Sequence, residues 1–406
     1  MGRNAIVGQS GGPTAVINSS LVGVFQAAKS RGAQHVYGMR YGVKGLLEEQ
    51  VVDLSDTLRD NLDIEILKRT PASYLGSCRY KLPVPAEDPA LYEKLFGILK
   101  KLDVGYFFYI GGNDSMDTIS KLSDYACMTG SDIKFMGVPK TIDNDLMNTD
   151  HTPGYGSAAK YIGAIMKEIT RDSLVYGTRN VKIFGMFLLE TGIIIAAALA
   201  KAEDCEGVDM ICLPEVAFDI DHFIERLDVL QRAKAGVVIA VSEGVRVHDG
   251  RYVCELTEEL GPVDAFGHKT LTGAARFLAN KAVRELGCKA RAIELSTLQR
   301  CSSHMASRVD ITEAFQVGGA AAKAAFEGHS GEMVGLRRLS NDPYQCTTEL
   351  HDIHTIANFE KKVPGEWITP DGVGVTQEFL AYMRPLIQAE LTPIYVDGLP
   401  RHIYIK

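Results

Sequence analysis

The sequence predicts an α/β protein with mainly parallel sheets, on three observations. Short β-rich runs alternate with helical patterns for about three hundred residues. Three of the strands open into loops carrying glycine pairs or clustered carboxylates. The chain is 406 residues long and 46% hydrophobic, enough for two or three compact lobes with a sizeable core. Ala5–Gly8 reads as the first strand, and Val16, Ile17, Leu21, Val24 and Ala28 then recur at helical spacing. Val104–Ile110 and Ile133–Val138 are the next clear strands, followed by a second helical stripe through Tyr161, Ile162, Ile165, Met166 and Ile169. Val181–Leu189, Met210–Leu213 and Val237–Val241 continue the alternation. Turn-rich stretches near Asn341–Tyr344 and Val363–Gly372 suggest that roughly the last sixty residues form an appendage on this fold.

Composition removes several function classes. A net charge of -8 and a pI near 5.7 argue against a general attraction to nucleic acid or anionic membrane, so anionic ligands would need a local basic pocket. Eight scattered cysteines without a C-x-x-C pair suggest reduced thiols in a cytoplasm, with neither a zinc site nor a disulfide framework. The N-terminal residues run directly into a strand and lack the pattern of a signal peptide. The apolar run Ile183–Ala200 is interrupted by Gly185, Glu190, Thr191 and Gly192, and reads as a buried strand followed by a buried helix. A span would place Glu190 in mid-bilayer.

In parallel sheets, ligands collect beyond the carboxyl ends of the strands. The first strand leads into Gln9-Ser10-Gly11-Gly12-Pro13-Thr14, where paired glycines permit close approach of a phosphate to a helix N-terminus. Such a turn is equally an ordinary connector. The second loop, Gly111-Gly112-Asn113-Asp114-Ser115, adds a carboxamide and a carboxylate that could face metal or phosphate, although Asp and Ser are also ordinary N-caps. The third is decisive. Lys140-Thr141-Ile142-Asp143-Asn144-Asp145 packs a cation and two carboxylates into one strand exit. If the loop is extended, both carboxylates point to one side, so that one can remove a hydroxyl proton while the other binds magnesium. This arrangement suits phosphoryl transfer, which depends on positioning and charge neutralisation.

These loops resemble those of the phosphofructokinase family. Ser10-Gly11-Gly12, Gly76-Ser77-Cys78-Arg79, Gly111-Gly112-Asn113-Asp114-Ser115, the Lys140–Asp145 loop, Leu213-Pro214-Glu215 and Gln299-Arg300 occur in the family's order, from residue 1 to about 330. The resemblance implies two Rossmann-like lobes with mainly parallel sheets and a C-terminal extension. A donor-binding lobe would span 1–155 with part of about 305–350, and a sugar-phosphate-binding lobe 156–304 with part of 351–406.

The resemblance also assigns roles. Asp143 would be the base toward the sugar hydroxyl, with Asp145 supporting it and ordering Mg2+. Lys140 and Thr141 would contact the transferring phosphate, Gly11 would offer its backbone N–H beside Gly12, and Arg79 would neutralise developing charge. Gly112, Asn113 and Asp114 would complete the donor site, with Asn113 and Asp114 as further metal candidates. Glu215 would accept hydrogen bonds from the sugar, and Arg300 would grip its phosphate. His304 and Arg308 follow at four-residue intervals and could share a helical face with it. ATP-using members resemble one another in having glycine at the positions of Asp114 and Lys140. Both are filled here, which is the pattern of pyrophosphate users, so the implied reaction is reversible pyrophosphate-dependent phosphorylation of fructose 6-phosphate. A cytoplasmic homodimer or homotetramer is expected, with each substrate pocket completed across a subunit interface.

Two positions depart from the family. Phe187-Leu188-Leu189 stands where Met-Gly-Arg is usual, removing an arginine; Lys182, Arg179 or Glu190 could belong to a rearranged pocket. Asn113 stands where many members carry a metal-organising aspartate. The altered sugar-facing position leaves two alternatives open: another acceptor, such as sedoheptulose 7-phosphate or a polyol, or a non-catalytic sugar-phosphate-sensing subunit.

Overall fold

The computed structural model describes residues 3–186, 194–256 and 273–405. The chain divides into two units: Met1–Ser157, Arg300–Lys361 and Leu386–Lys406 form the first, and Ala158–Gln299 with Lys362–Pro385 the second. In chain order the strands of the two main sheets are β1 (Asn4–Gln9), β2 (Val36–Met39), β3 (Val51–Asp53), β4 (Val104–Gly111), β5 (Lys134–Pro139), β6 (Asn180–Met186), β7 (Met210–Cys212), β8 (Gly236–Ser242), β9 (Lys289–Glu294), β10 (Glu332–Asn341) and β11 (Tyr344–Asp352).

The first unit holds a seven-stranded sheet ordered β11-β10-β5-β4-β1-β2-β3. Its five central strands, β10 to β2, run parallel, and antiparallel β3 and β11 close the edges. The central strands are buried on both faces, which is why β1 and β4 read as continuous apolar runs. On one face the core gathers Val7, Leu21, Phe108, Met136 and Val317; on the other it gathers Ile6, Tyr92, Phe107, Phe135 and Ile353. The helices Ile17–Ser30 and Arg308–Phe326 press backbone against backbone. A Cβ on Gly23 would lie 2.2 Å from the Phe315 carbonyl oxygen, and one on Gly318 2.1 Å from that of Ser20. Only glycine fits at either position.

The second unit is built on a four-stranded parallel sheet ordered β7-β8-β6-β9. Its core packs Val181, Ile183, Ile239 and Val241 against Phe223, Leu227, Leu278 and Ala282. Val181–Leu189, expected as one strand, is described as β6 to Met186; its remaining residues lie outside the described ones. Of the buried helix expected before Ala200, residues 187–193 lie outside the described ones, and Ile195–Ala200 forms a 3-10 turn. Among the described residues no helix is long and apolar enough to cross a membrane, and none of the eight cysteines forms a disulfide.

The C-terminal extension is not a free-standing appendage. Asn341–Tyr344 forms the turn of the β10–β11 hairpin, which joins the first unit's sheet. Ile353, Ile356 and Ala357 enter that unit's core. Residues 362–385 belong to the second unit, where Asp371 pairs with Arg226 at 2.8 Å. The final residues return to the first unit, the Ile403 N–H donating to Thr70 Oγ1 at 3.1 Å.

Candidate active site

Because β1, β4 and β5 are adjacent and parallel, the three predicted loops emerge along one edge of the first unit's sheet. In the first loop, Gly11 takes φ +76°, a conformation that favours glycine. Its N–H donates to the Cys78 carbonyl at 3.2 Å, and its carbonyl accepts from Ser77 Oγ at 2.6 Å. The expected phosphate donor at Gly11 is thus already engaged, and the residue contributes shape. A Cβ on Gly11 would meet Lys140 Nζ at 3.4 Å, and one on Gly12 would meet Arg300 Nη1 at 2.9 Å. The two glycines leave two cations room beside the backbone.

A buried polar network holds the neighbouring Gly76–Arg79 segment. Asn18 Nδ2 donates to the Thr70 and Ala72 carbonyls at 2.8 and 2.7 Å, and its Oδ1 accepts from the Tyr74 N–H and Gln9 Nε2. Gln9 Oε1 accepts from the Leu75 N–H at 2.9 Å. Gln9 and Asn18 are fully buried, so each bond is made in a dry environment where an unmade one would cost about 1–3 kcal/mol. Arg79 sits exposed at the end of this segment.

The third loop bends more sharply than an extended strand. Asn144, between the two carboxylates, takes a left-handed φ of +59°. Thr141 Oγ1 lies 3.1 Å from Asp143 Oδ2 and accepts from the Asp143 N–H at 3.1 Å. The return limb braces this turn. Thr152 Oγ1 donates to the Thr141 carbonyl at 2.8 Å, and the Thr152 N–H to Asn144 Oδ1 at 3.1 Å. Burial raises Asp143 well above the ordinary carboxylate range; the charge of Asp145 adds to this, against Lys140 and Arg300. Asp145 is raised as well, by burial and by Glu360. Lys140 is 3% exposed and donates from Nζ to the Gly12 carbonyl at 2.7 Å. Burial brings its pKa down to about 8; the carboxylates of Asp143 and Asp145 oppose this, and Arg300 and Arg79 reinforce it. Three cations and two carboxylates therefore share one field.

Asn113 does not face a metal. Its oxygen accepts from the Asn358 N–H at 2.7 Å and its nitrogen donates to the Phe359 carbonyl at 2.5 Å, fixing the amide to the extension. Asp114 lies exposed in the first turn of the helix Asn113–Thr129, where the helix dipole favours a negative charge. Asp143 Oδ1 and Asp145 Oδ1 are buried without a hydrogen-bond partner. Unpaired carboxylate oxygens of this kind suit a divalent cation. Among the described residues no cluster of three or more His, Cys, Asp or Glu side chains could hold a metal. Magnesium commonly takes one or two carboxylates plus substrate phosphate and water, so the residues fit that mode rather than a closed cage.

Arg300, His304 and Arg308 do not share a helical face. Arg300 belongs to the short helix Leu298–Cys301, His304 to the 3-10 turn Ser303–Met305, and Arg308 opens the helix Arg308–Phe326. Extended backbone at Ala306 and Ser307 breaks the periodicity that four-residue spacing assumes. Arg300 approaches Gly12 in the first unit. In the second unit, Glu215 stands just past β7, its carboxyl raised by burial. Lys182 pairs with Asp172, and Arg179 is exposed. Phe187-Leu188-Leu189 and Glu190 lie outside the described residues.

Sequence reasoning missed Lys361. From the extension, its Nζ donates to the Thr149 and Asp150 carbonyls, both at 2.9 Å, and to Asn144 Oδ1 at 3.4 Å. It lies beyond the recognisable motifs in a polar, turn-rich stretch, where one lysine among several carries no signal. Gln9 and Asn18 were equally silent, since a buried amide reads like a surface one.

A parallel α/β scaffold whose strand ends gather a raised carboxylate, a second buried carboxylate and a cluster of cations defines a phosphoryl-transfer enzyme. The Phosphofructokinase family pattern matches residues 4–325, and the chain belongs to that family. It is 39% identical to the pyrophosphate–fructose 6-phosphate 1-phosphotransferase of Methylococcus capsulatus, over 99% of this chain and 95% of that one. The pyrophosphate-dependent phosphofructokinase structures from Nitrosospira multiformis and Marinobacter aquaeolei superpose with TM-scores of 0.88 and 0.87, at 35% and 36% identity. They cover 99% and 98% of this chain, and 96% and 95% of theirs.

Proposed function

We propose that the protein transfers a phosphoryl group from pyrophosphate to the 1-hydroxyl of fructose 6-phosphate, giving fructose 1,6-bisphosphate and phosphate. The observation that carries the reading is the convergence of Lys140 and Arg300 on the Gly11-Gly12 turn beside Asp143, with the charge of Arg79 acting on both. Burial and the neighbouring arginines lower the pKa of Lys140, and burial and Arg79 that of Arg300; a compact, multiply charged anion relieves that repulsion. Lys140 fills the space that ATP-using members resemble one another in leaving open, which favours pyrophosphate.

Asp143 takes the proton of the attacking hydroxyl; its raised pKa brings it nearer the working pH, as efficient general-base catalysis requires. Thr141 orients that carboxylate through its hydroxyl. Lys140 and Arg79 hold the phosphoryl oxygens as charge moves to the leaving phosphate, and Gly12, Gly112 and Asp114 shape the donor site. Asp145 would hold Mg2+, which supplies charge neutralisation on the phosphate oxygens. Glu215 accepts from the sugar, and Arg300, His304 and Arg308 serve its phosphate. The protein acts reversibly in the cytoplasm as a homodimer or homotetramer.

Assay of fructose 6-phosphate phosphorylation with pyrophosphate and with ATP tests the donor. A clear preference for ATP would sink it. A parallel screen of sedoheptulose 7-phosphate and free polyols by kcat/KM tests the acceptor, and complete inactivity with every acceptor would favour a sensing subunit.

A further inference from the structure

We propose that Lys361 is a positioning residue for the phosphoryl-transfer loop, holding from the C-terminal extension the turn that sets Asp143 and Asp145. The inference rests on the reading of that loop as the catalytic one. An ammonium group has three donors, and here each has a partner on the loop or its return limb: the carbonyls of Thr149 and Asp150, and Asn144 Oδ1. The backbone of the same residue adds a fourth tie, its N–H donating to the Asp145 carbonyl at 2.7 Å. Lys361 thus grips the left-handed residue between the two carboxylates, the backbone carbonyl of Asp145 and the return limb at Thr149 and Asp150.

The segment that carries Lys361 is itself clamped from the opposite side. Asn113, at the end of the second loop, binds the Asn358 N–H and the Phe359 carbonyl, and Asn358 Nδ2 donates to Asp117 Oδ1 at 3.0 Å. Residues 358–361 therefore tie the Gly111–Asp114 loop to the Lys140–Asp145 loop. The family pattern ends at residue 325, so this tie comes from chain outside it. It also accounts for asparagine at 113: a carboxamide can donate to a carbonyl and accept from an N–H at once, whereas an ionised aspartate can only accept.

Replacing Lys361 by methionine keeps the length and apolar stem of the side chain and removes its donors. With pyrophosphate and fructose 6-phosphate, kcat of K361M is expected to fall by about 10- to 100-fold, the scale of a misplacement near 1 Å. KM for fructose 6-phosphate and Tm should stay near wild type, and K361R should recover part of kcat. N113A, which releases the same segment from its other end, should lower kcat in the same way and carries the test if K361M does not fold. A kcat within twofold of wild type, or a loss confined to KM, overturns the inference. If the wild-type protein itself does not turn over pyrophosphate, the functional reading has failed; equal turnover by wild type and K361M rejects only the role of Lys361.

Discussion

Two carboxylate pairs stand at the carboxyl ends of parallel strands in the two main sheets, and their surroundings differ. In the first unit, Asp143 and Asp145 follow β5, and each keeps a buried oxygen without a partner, with Lys140, Arg300 and Lys361 acting on the pair electrostatically. In the second, Glu243 follows β8 and Glu294 ends β9. Glu243 is 1% exposed and accepts from the Gly273 and Ala274 N–H groups at 3.2 and 3.1 Å, capping the helix Ala274–Leu286. Burial raises its pKa to about 8, and the nearby charge of Glu294 adds to that rise. Burial raises both pairs. The first pair sits among several cations with an unpartnered oxygen on each carboxylate, whereas in the second only Glu294 keeps such an oxygen and Glu243 is spent on backbone donors, a structural use of the same kind of side chain.

If that contrast is right, D143N should lower kcat by about 10³-fold or more, within the usual range for loss of a general base, while fructose 6-phosphate still binds in a calorimetric titration. Retained turnover would break the assignment. K140M should lower kcat/KM for pyrophosphate by about 10²-fold, as expected for removing one preorganised charge, and steady-state kinetics with varied pyrophosphate would measure it.

The pH profile sharpens the comparison further. Asp143 works ionised, so the rate should fall as pH drops through its raised pKa; D145N removes a charge that raises it and should move the acid limb downward. An unmoved limb would mean that the two carboxylates are not coupled. Lys140 works protonated, and its depressed pKa of about 8 predicts a rate loss on the alkaline side in kcat/KM. The smallest effect belongs to the other pair. Because the folded-state pKa of Glu243 is raised, its share of stability is present below the ordinary 4.5 and declines as pH rises toward the folded value. E294Q should flatten that decline in thermal melts by a few degrees at most and leave the pH–rate profile of the first unit untouched.

Much of the scaffold was legible because β1, β4, β5, β6 and β8 are buried on both faces and so spell themselves as apolar runs. β9, which is exposed to intermediate along its length, and the alternating outer part of β10 carry no such run, and the sequence reading passed over them. The site followed the same rule. Lys140, Asp143 and Asp145 were readable because three chemical groups crowd into six residues. Spacing alone was a poor guide where the backbone changes conformation, as between Arg300 and Arg308, and where a donor had a local partner, as at Gly11. Residues that act by holding others, such as Asn18 and Lys361, show themselves only when distant segments come together.

The route of the chain through the first unit has a consequence for biosynthesis. β10 pairs with β5 across a gap in which the whole second unit except residues 362–385 is made, and the tie from residue 361 to the Lys140–Asp145 loop comes later still. A ribosome releasing the chain from its N-terminus exposes the edge of β5 long before its partner exists, and such long-range closures are slow. The nascent polypeptide can thus hold every catalytic side chain named above before the residues that brace their loop from position 361 have been made.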